Sequence, residues 1–148
     1  MEDTKTPGPM RRGASIIFID PSCEVLLCLR DDKAGIPFPN CWDLFGGGVE
    51  PDETPQECIV REMKEELDLT IAEPRLYKIT HFDDRIEYTF FQTASRDLVD
   101  RPQYEGKGKK WFSKAEIQSL PLEAIAFGFR EILLEFFARR AWLSRSPT

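Results

Sequence analysis

The sequence predicts one α/β or α+β domain, and three observations predict it. At 148 residues the chain is long enough for one core and too short for two ordinary domains. Hydrophobic residues make up 41% and charged residues 31%, a balance that suits a folded chain with a real interior. Compact β-branched runs are interleaved with segments that carry helix-start signals.

The opening stretch, MEDTKTPGPMRRG, is polar and holds Pro and Gly, so residues 1–13 read as a flexible lead-in and residues 14–148 as the domain. Ala14 to Asp20 (ASIIFID) and Glu24 to Arg30 (EVLLCLR) read as two strands, punctuated by Pro21-Ser22. Asp31 to Asn40, with two prolines and a glycine, is a loop, and Cys41 to Phe45 leads into Gly46-Gly47-Gly48. Successive glycines mark a backbone path that side chains would block. Thr54 followed three residues later by Glu57 is a capping box with Pro55 at the first helical position, so a helix runs from Thr54 to about Leu67. Arg75 to Phe82 and Ile86 to Ala94 are further strands, and Ser95 to Gly108 is a loop. Lys109 to Phe112 is a short strand, Ser113 with Glu116 starts a small helix, and Phe127 to Leu143 is an apolar amphipathic helix. Packing on the domain is the expected use of that last helix, with a homodimer face as its alternative.

Charge and residue usage limit the chemistry. Acidic residues outnumber basic ones 26 to 20, a formal charge of -6, which argues against a sequence-independent grip on a nucleic acid polymer. A small anionic substrate would need a metal or a local cationic pocket. The single histidine, His81, excludes His-rich zinc sites and reads as a strand-end residue before a polar turn. Cys23, Cys28, Cys41 and Cys58 lack metal-ribbon spacing and follow no hydrophobic signal segment, so reduced thiols and a cytoplasmic location are expected. No apolar stretch approaches the roughly 18 to 20 residues of a membrane span, so no membrane partner is expected.

The acidic excess is concentrated in one helix. Arg61 to Asp68 holds six charged residues in eight. At about 100° per residue, Ile59, Val60, Met63 and Leu67 make a narrow apolar stripe, and Glu66, Glu62 and Glu65 fall in one arc beside it. Like charges at this spacing destabilise a helix by about 0.2–0.5 kcal/mol per pair, so the cluster asks for a compensating cation. Mg²⁺ or Mn²⁺ suits all-oxygen ligands. A solvated helix partly neutralised by Arg61 and Lys64 is the plainer alternative.

Gly47, Glu53 six residues on, and then Arg61-Glu62-Met63-Lys64-Glu65-Glu66-Leu67-Asp68-Leu69 resemble the Nudix box, G-x5-E-x7-R-E-U-x-E-E-x-G-U with U aliphatic. The chain departs at Asp68, where the family has glycine, and at Phe45, where many members have proline. Asp at a left-handed helix end carries some cost, which bears on local stability more than on chemistry. The resemblance implies an α/β fold, an α/β/α sandwich around a mixed β-sheet.

It also implies a MutT-like pyrophosphohydrolase dependent on Mg²⁺ or Mn²⁺, acting on a nucleoside diphosphate joined to another group. On this reading Glu62 and Glu66 are the leading metal ligands, Glu65 is auxiliary, and the Gly46 carbonyl lies beside them. Arg61 orients the carboxylates, Glu53 braces the loop that Gly47 opens, and Glu105 is a further ligand or base. Arg30 is a candidate phosphate contact; Phe38, Trp42 and Phe45 are candidates for stacking on a base, although aromatics before a loop are more often core. The leading substrate is a nucleoside triphosphate, including an oxidised or noncanonical one. Nucleotide sugars, dinucleoside polyphosphates and a nucleotide-sensing module without hydrolysis are the alternatives.

Overall fold

In the computed structural model, which describes residues 10–144, the chain builds on β1 (Arg12–Ile19). β1 is almost wholly buried, and its alternating side chains feed two cores. Ile16 and Phe18 face one side and Ile17 and Ile19 the other. The strand starts two residues earlier than the sequence suggests, because the Arg12 carbonyl accepts from Val49 and the Arg11 carbonyl from Ile86.

β2 (Val25–Leu29), β3 (Trp42–Asp43) and β4 (Phe45–Gly48) follow, then α1 (Pro55–Leu67), β5 (Arg75–His81), β6 (Ile86–Thr93), β7 (Gly108–Phe112), α2 (Lys114–Ser119) and α3 (Phe129–Ser144). The described strands form one mixed seven-stranded sheet in the order β3-β2-β1-β6-β5, with β4 paired to β1 and β7 to β2. β1 and β6 are parallel and the other pairs antiparallel.

α1 covers one face. Cys58, Ile59, Met63 and Leu67 are buried against Ile16, Phe18, Leu26 and Phe45. Both arms of its predicted capping box form: Glu57 N donates to Thr54 Oγ1 at 3.1 Å, and Thr54 N donates to Glu57 Oε1 at 2.9 Å. At the other end Asp68 adopts the left-handed conformation, φ 50° and ψ 39°, and the Leu69 amide closes on the Met63 carbonyl at 3.2 Å. The Nudix-type α/β/α arrangement is therefore present, with the departure at Asp68 accommodated.

α3 covers the opposite face. Phe129, Ile132, Leu133, Phe136 and Phe137 recur at helical spacing and are buried against Ile17, Ile19, Val25 and Leu27. Its apolar stripe is thus used for core packing. The helix begins at Phe129 rather than Phe127, because Phe127 lies in a short 3-10 turn with φ 59°. That segment is docked on β3 through a parallel bridge between Trp42 and Ile125. A second 3-10 turn, Arg96–Asp100, interrupts the predicted loop after β6.

Candidate active site

Antiparallel pairing of β4 with β1 sets Gly46 opposite Ser15 and Gly47 opposite Ala14. Gly46 has φ 151°, and a side chain there would run into the Ala14 carbonyl, so the position requires glycine. Gly47 lies under α1: a Cβ would land on the Glu62 carboxylate. The Cys58 thiol donates to the Gly48 carbonyl at 3.5 Å, which ties the helix to this strand.

Arg61 organises the helix-facing end of the loop. Its Nε and Nη2 donate to the two oxygens of Glu53 at 2.7 and 3.0 Å, and Nη1 donates to Glu62 at 3.0 Å and Glu65 at 3.3 Å. Glu53 also accepts from the Glu50 amide at 3.0 Å. Hydrogen bonding from Arg61 holds the Glu53 carboxyl down at about 2.

Glu66 sits in the opposite electrostatic setting. It is 7% exposed, and burial, followed by the hydrogen bond that its protonated form donates to Glu62 and the charges of Glu62, Glu105 and Asp43, raises its pKa to about 10. Glu65, by contrast, is exposed on the solvent side of the strip. Glu105 is reached from another part of the chain. The Tyr104 amide donates to the Glu66 carbonyl at 2.9 Å and the Lys107 amide to the Leu29 carbonyl at 2.8 Å, pinning the loop that carries Glu105. Glu62 and Glu66 thus meet beside the glycine strand, and the charge of the exposed Glu105 is felt at Glu66.

The acidic strip adjoins a cleft of about 500 Å³ that Gly46, Gly47 and Gly48 help to line. Four arginines, Arg11, Arg12, Arg30 and Arg85, line it with three carboxylates, Asp43, Asp84 and Glu87. This is a local cationic excess in a chain of charge -6. Arg30 donates to Asp43 at 3.0 Å and to the Pro37 carbonyl at 2.9 Å. Asp43 is 8% exposed, its Oδ1 has no hydrogen-bond partner among the described residues, and burial pushes its pKa up to about 6. Arg85 donates to buried Glu87 at 2.7 Å and to the Phe127 carbonyl at 2.8 Å.

Three of these residues, Asp43, Arg85 and Glu87, are absent from the sequence reading. Asp43 and Glu87 had a signal: each is a carboxylate within a strand whose neighbours are apolar or aromatic, where an ionised group needs a partner. The aromatic candidates separate. Phe45 is core at 1% exposure and Trp42 packs edge-on against Phe112 at 4.8 Å, whereas Phe38 lies in the cleft. His81 is exposed at the end of β5.

The donor set suits a hard divalent cation. Among the described residues no three His, Cys, Asp or Glu side chains form a ready cage. Mg²⁺ keeps several waters and needs only one or two carboxylates, so buried Glu66, adjacent Glu62 and a strand carbonyl are sufficient. Two carboxylates in hydrogen-bond contact, one of them buried, have the chemistry that such an ion neutralises.

Comparison with known proteins agrees with this geometry. The chain is 30% identical over 113 residues to nucleoside triphosphatase NudI of Enterobacter sp. strain 638, covering 66% of this chain and 78% of that protein. It is 31% identical over 109 residues to a putative 8-oxo-dGTP diphosphatase of Bacillus subtilis strain 168, covering 72% and 68%. Its fold is similar to a MutT protein from Methanosarcina mazei Go1 (TM-score 0.70, 23% identity, 93% and 99% covered). It is also similar to a mutT/nudix family protein from Listeria innocua (TM-score 0.77, 18% identity, 95% and 98% covered). The NUDIX domain model matches residues 9–136, and with the glycine strand, the Arg61–Glu53 clasp and the carboxylates of α1 in their places, the chain belongs to the Nudix hydrolase family.

Proposed function

We propose that this pyrophosphohydrolase cleaves a nucleoside triphosphate, including an oxidised or noncanonical one, to a monophosphate and pyrophosphate. The observation that carries the reading is the junction of buried Glu66 and Glu62 with an arginine-lined cleft across the glycine strand. The names of the two relatives, a nucleoside triphosphatase and a putative 8-oxo-dGTP diphosphatase, support it.

Glu62 and Glu66 would hold Mg²⁺ or Mn²⁺, with the Gly46 carbonyl, Glu65 and Glu105 as further oxygen donors. Bound there, the ion would supply positive charge to the phosphates and lower the pKa of water. Arg61 holds Glu62 and Glu65 in place and is itself fixed by Glu53. Arg30 contacts a phosphate from the cleft side. Water attacks one phosphorus of the anhydride, Glu62 or Glu105 takes its proton, and the bond to the bridging oxygen breaks as pyrophosphate leaves.

The four cysteines are unpaired, and no described helix is long and apolar enough to cross a membrane; both suit the cytoplasmic location we propose. The test is a panel of nucleoside di- and triphosphates, nucleotide sugars and dinucleotides, assayed for phosphate and pyrophosphate with and without Mg²⁺. Metal-dependent pyrophosphate release from triphosphates is expected. Turnover confined to nucleotide sugars or dinucleotides would overturn the substrate assignment, and nucleotide binding without turnover would favour a sensing module.

A further inference from the structure

Two phenylalanines brought together from distant segments line the cleft. Phe38, in the loop between β2 and β3, and Phe127, in the turn before α3, have ring centroids 4.7 Å apart and planes inclined by 59°. Phe38 is 44% exposed, unlike the buried aromatics of the two cores. Both residues hold left-handed backbone conformations, φ 50° and 59°. Such values are outliers for bulky side chains, and Phe38 also precedes Pro39, where extended backbone is preferred. Strain of this kind persists only where surrounding contacts enforce it. Here they do: Arg30 donates to the Pro37 carbonyl and places its guanidinium 4.9 Å from the Phe127 ring, and Arg85 holds the Phe127 carbonyl. Phe38 lies outside both cores, Phe127 packs half-buried at the edge of one, and both rings line the cleft beside the glycine strand.

We propose that Phe38 is the affinity-determining residue for the base: its ring, backed by Phe127, stacks on the flat face of the base from the cleft side while the phosphates extend toward the glycine strand. The inference rests on the nucleotide reading above and adds to it a subsite and a side chain. Stacking needs only a π-face, so the subsite binds bases broadly and supplies affinity rather than hydrogen-bond readout. Arg30, over the Phe127 ring, keeps the cleft cationic where the sugar-phosphate begins.

The test compares adenosine 5′-monophosphate with ribose 5-phosphate, which differ only by the base, using titration calorimetry on the full chain. The wild-type protein is expected to bind the nucleotide about 5- to 150-fold more tightly, the range that one base–aromatic stack provides. Phe38→Ala and Phe38→Leu should lose most of that difference without changing ribose 5-phosphate affinity, and Phe38→Tyr should retain it. The Leu variant preserves apolar contact in the loop, so a merely structural role for Phe38 would spare it. Equal binding of the two ligands by the wild type, binding of neither, or an equal loss for both ligands in Phe38→Ala would overturn the proposal. A preference for the nucleotide without pyrophosphate release would sink only the hydrolytic reading; turnover without that preference would sink only this one.

Discussion

Arg61 and Glu53, eight residues apart, are joined by two hydrogen bonds, Nε to Oε2 at 2.7 Å and Nη2 to Oε1 at 3.0 Å. This fork ties the middle of α1 to the loop that precedes the helix, and the remaining Arg61 nitrogen reaches Glu62 and Glu65. One guanidinium therefore sets the position of three carboxylates. Lysine cannot reproduce a planar two-point contact. Arg61→Lys is expected to lower turnover by about 100-fold, the scale of a misplaced catalytic group, while circular dichroism remains native.

The same clasp has a pH signature. Because Glu53 is held at about 2 against an ordinary 4.5, its contribution is fully present above 4.5 and is lost as pH falls toward 2. Acid unfolding of Glu53→Gln should therefore be less steep than that of the wild type between pH 4.5 and 2. An unchanged acid limb in thermal melts would contradict the assignment.

Glu66 is a carboxylate held where burial opposes its charge. With its pKa raised from 4.5 to about 10, ionising it costs the folded state, and its contribution to stability declines as pH rises between those values. Glu66→Gln should fold at least as well as the wild type in chelator and lose at least about 100-fold in turnover, as expected for removing one electrostatic stabiliser of the transition state. Saturating Mg²⁺ should raise the wild-type Tm by about 5–10 °C and leave that of Glu66→Gln nearly unchanged.

Adjacent glycines should respond differently to alanine. Gly46→Ala places a methyl group against backbone at φ 151° and should destabilise by more than about 1 kcal/mol. Gly47→Ala meets only the flexible end of Glu62, so it should melt near the wild type but lose activity as that carboxylate is displaced. Equal loss of stability in both would refute the distinction.

What the sequence made legible was local. The capping box, the glycine strand and the Gly47, Glu53, Arg61 spacing lie within a short span, and Arg61 closes it by reaching Glu53 eight residues back. The cleft was largely hidden. Arg30 and Phe38 are visible only as isolated candidates, while Asp43 on β3, Arg85 in the turn before β6 and Glu87 on β6 are brought together by the β2–β3, β1–β2 and β1–β6 pairings. Phe127 was assigned to the last helix because its apolar periodicity runs on without a break. Only the φ of 59° and the bridge to β3 turn it toward the cleft. Asp68 shows the converse: a departure from the box glycine looked costly, yet Asp adopts the left-handed cap and pairs with Lys64 at 2.8 Å.

Asp43 provides the last prediction. It is buried beside Arg30 with Oδ1 unpartnered, and burial outweighs the arginine, raising its pKa from 3.8 to about 6. Between those values the folded protein holds more protons at this site than the unfolded chain, so ∂ΔG/∂pH of unfolding is negative and stability falls as pH rises. Above pH 6 the buried charge is retained in both nucleotide-free and metal-free protein, and its cost is constant. Asp43→Asn removes the titration while keeping the shape of the side chain. In chelator, the variant should therefore be more stable relative to the wild type at pH 7 than at pH 4, with the change concentrated between pH 4 and 6. A parallel pair of Tm-against-pH curves across that window would show instead that Arg30 keeps Asp43 ionised throughout, and that its carboxylate is an ordinary ion pair rather than a strained group at the wall of the cleft.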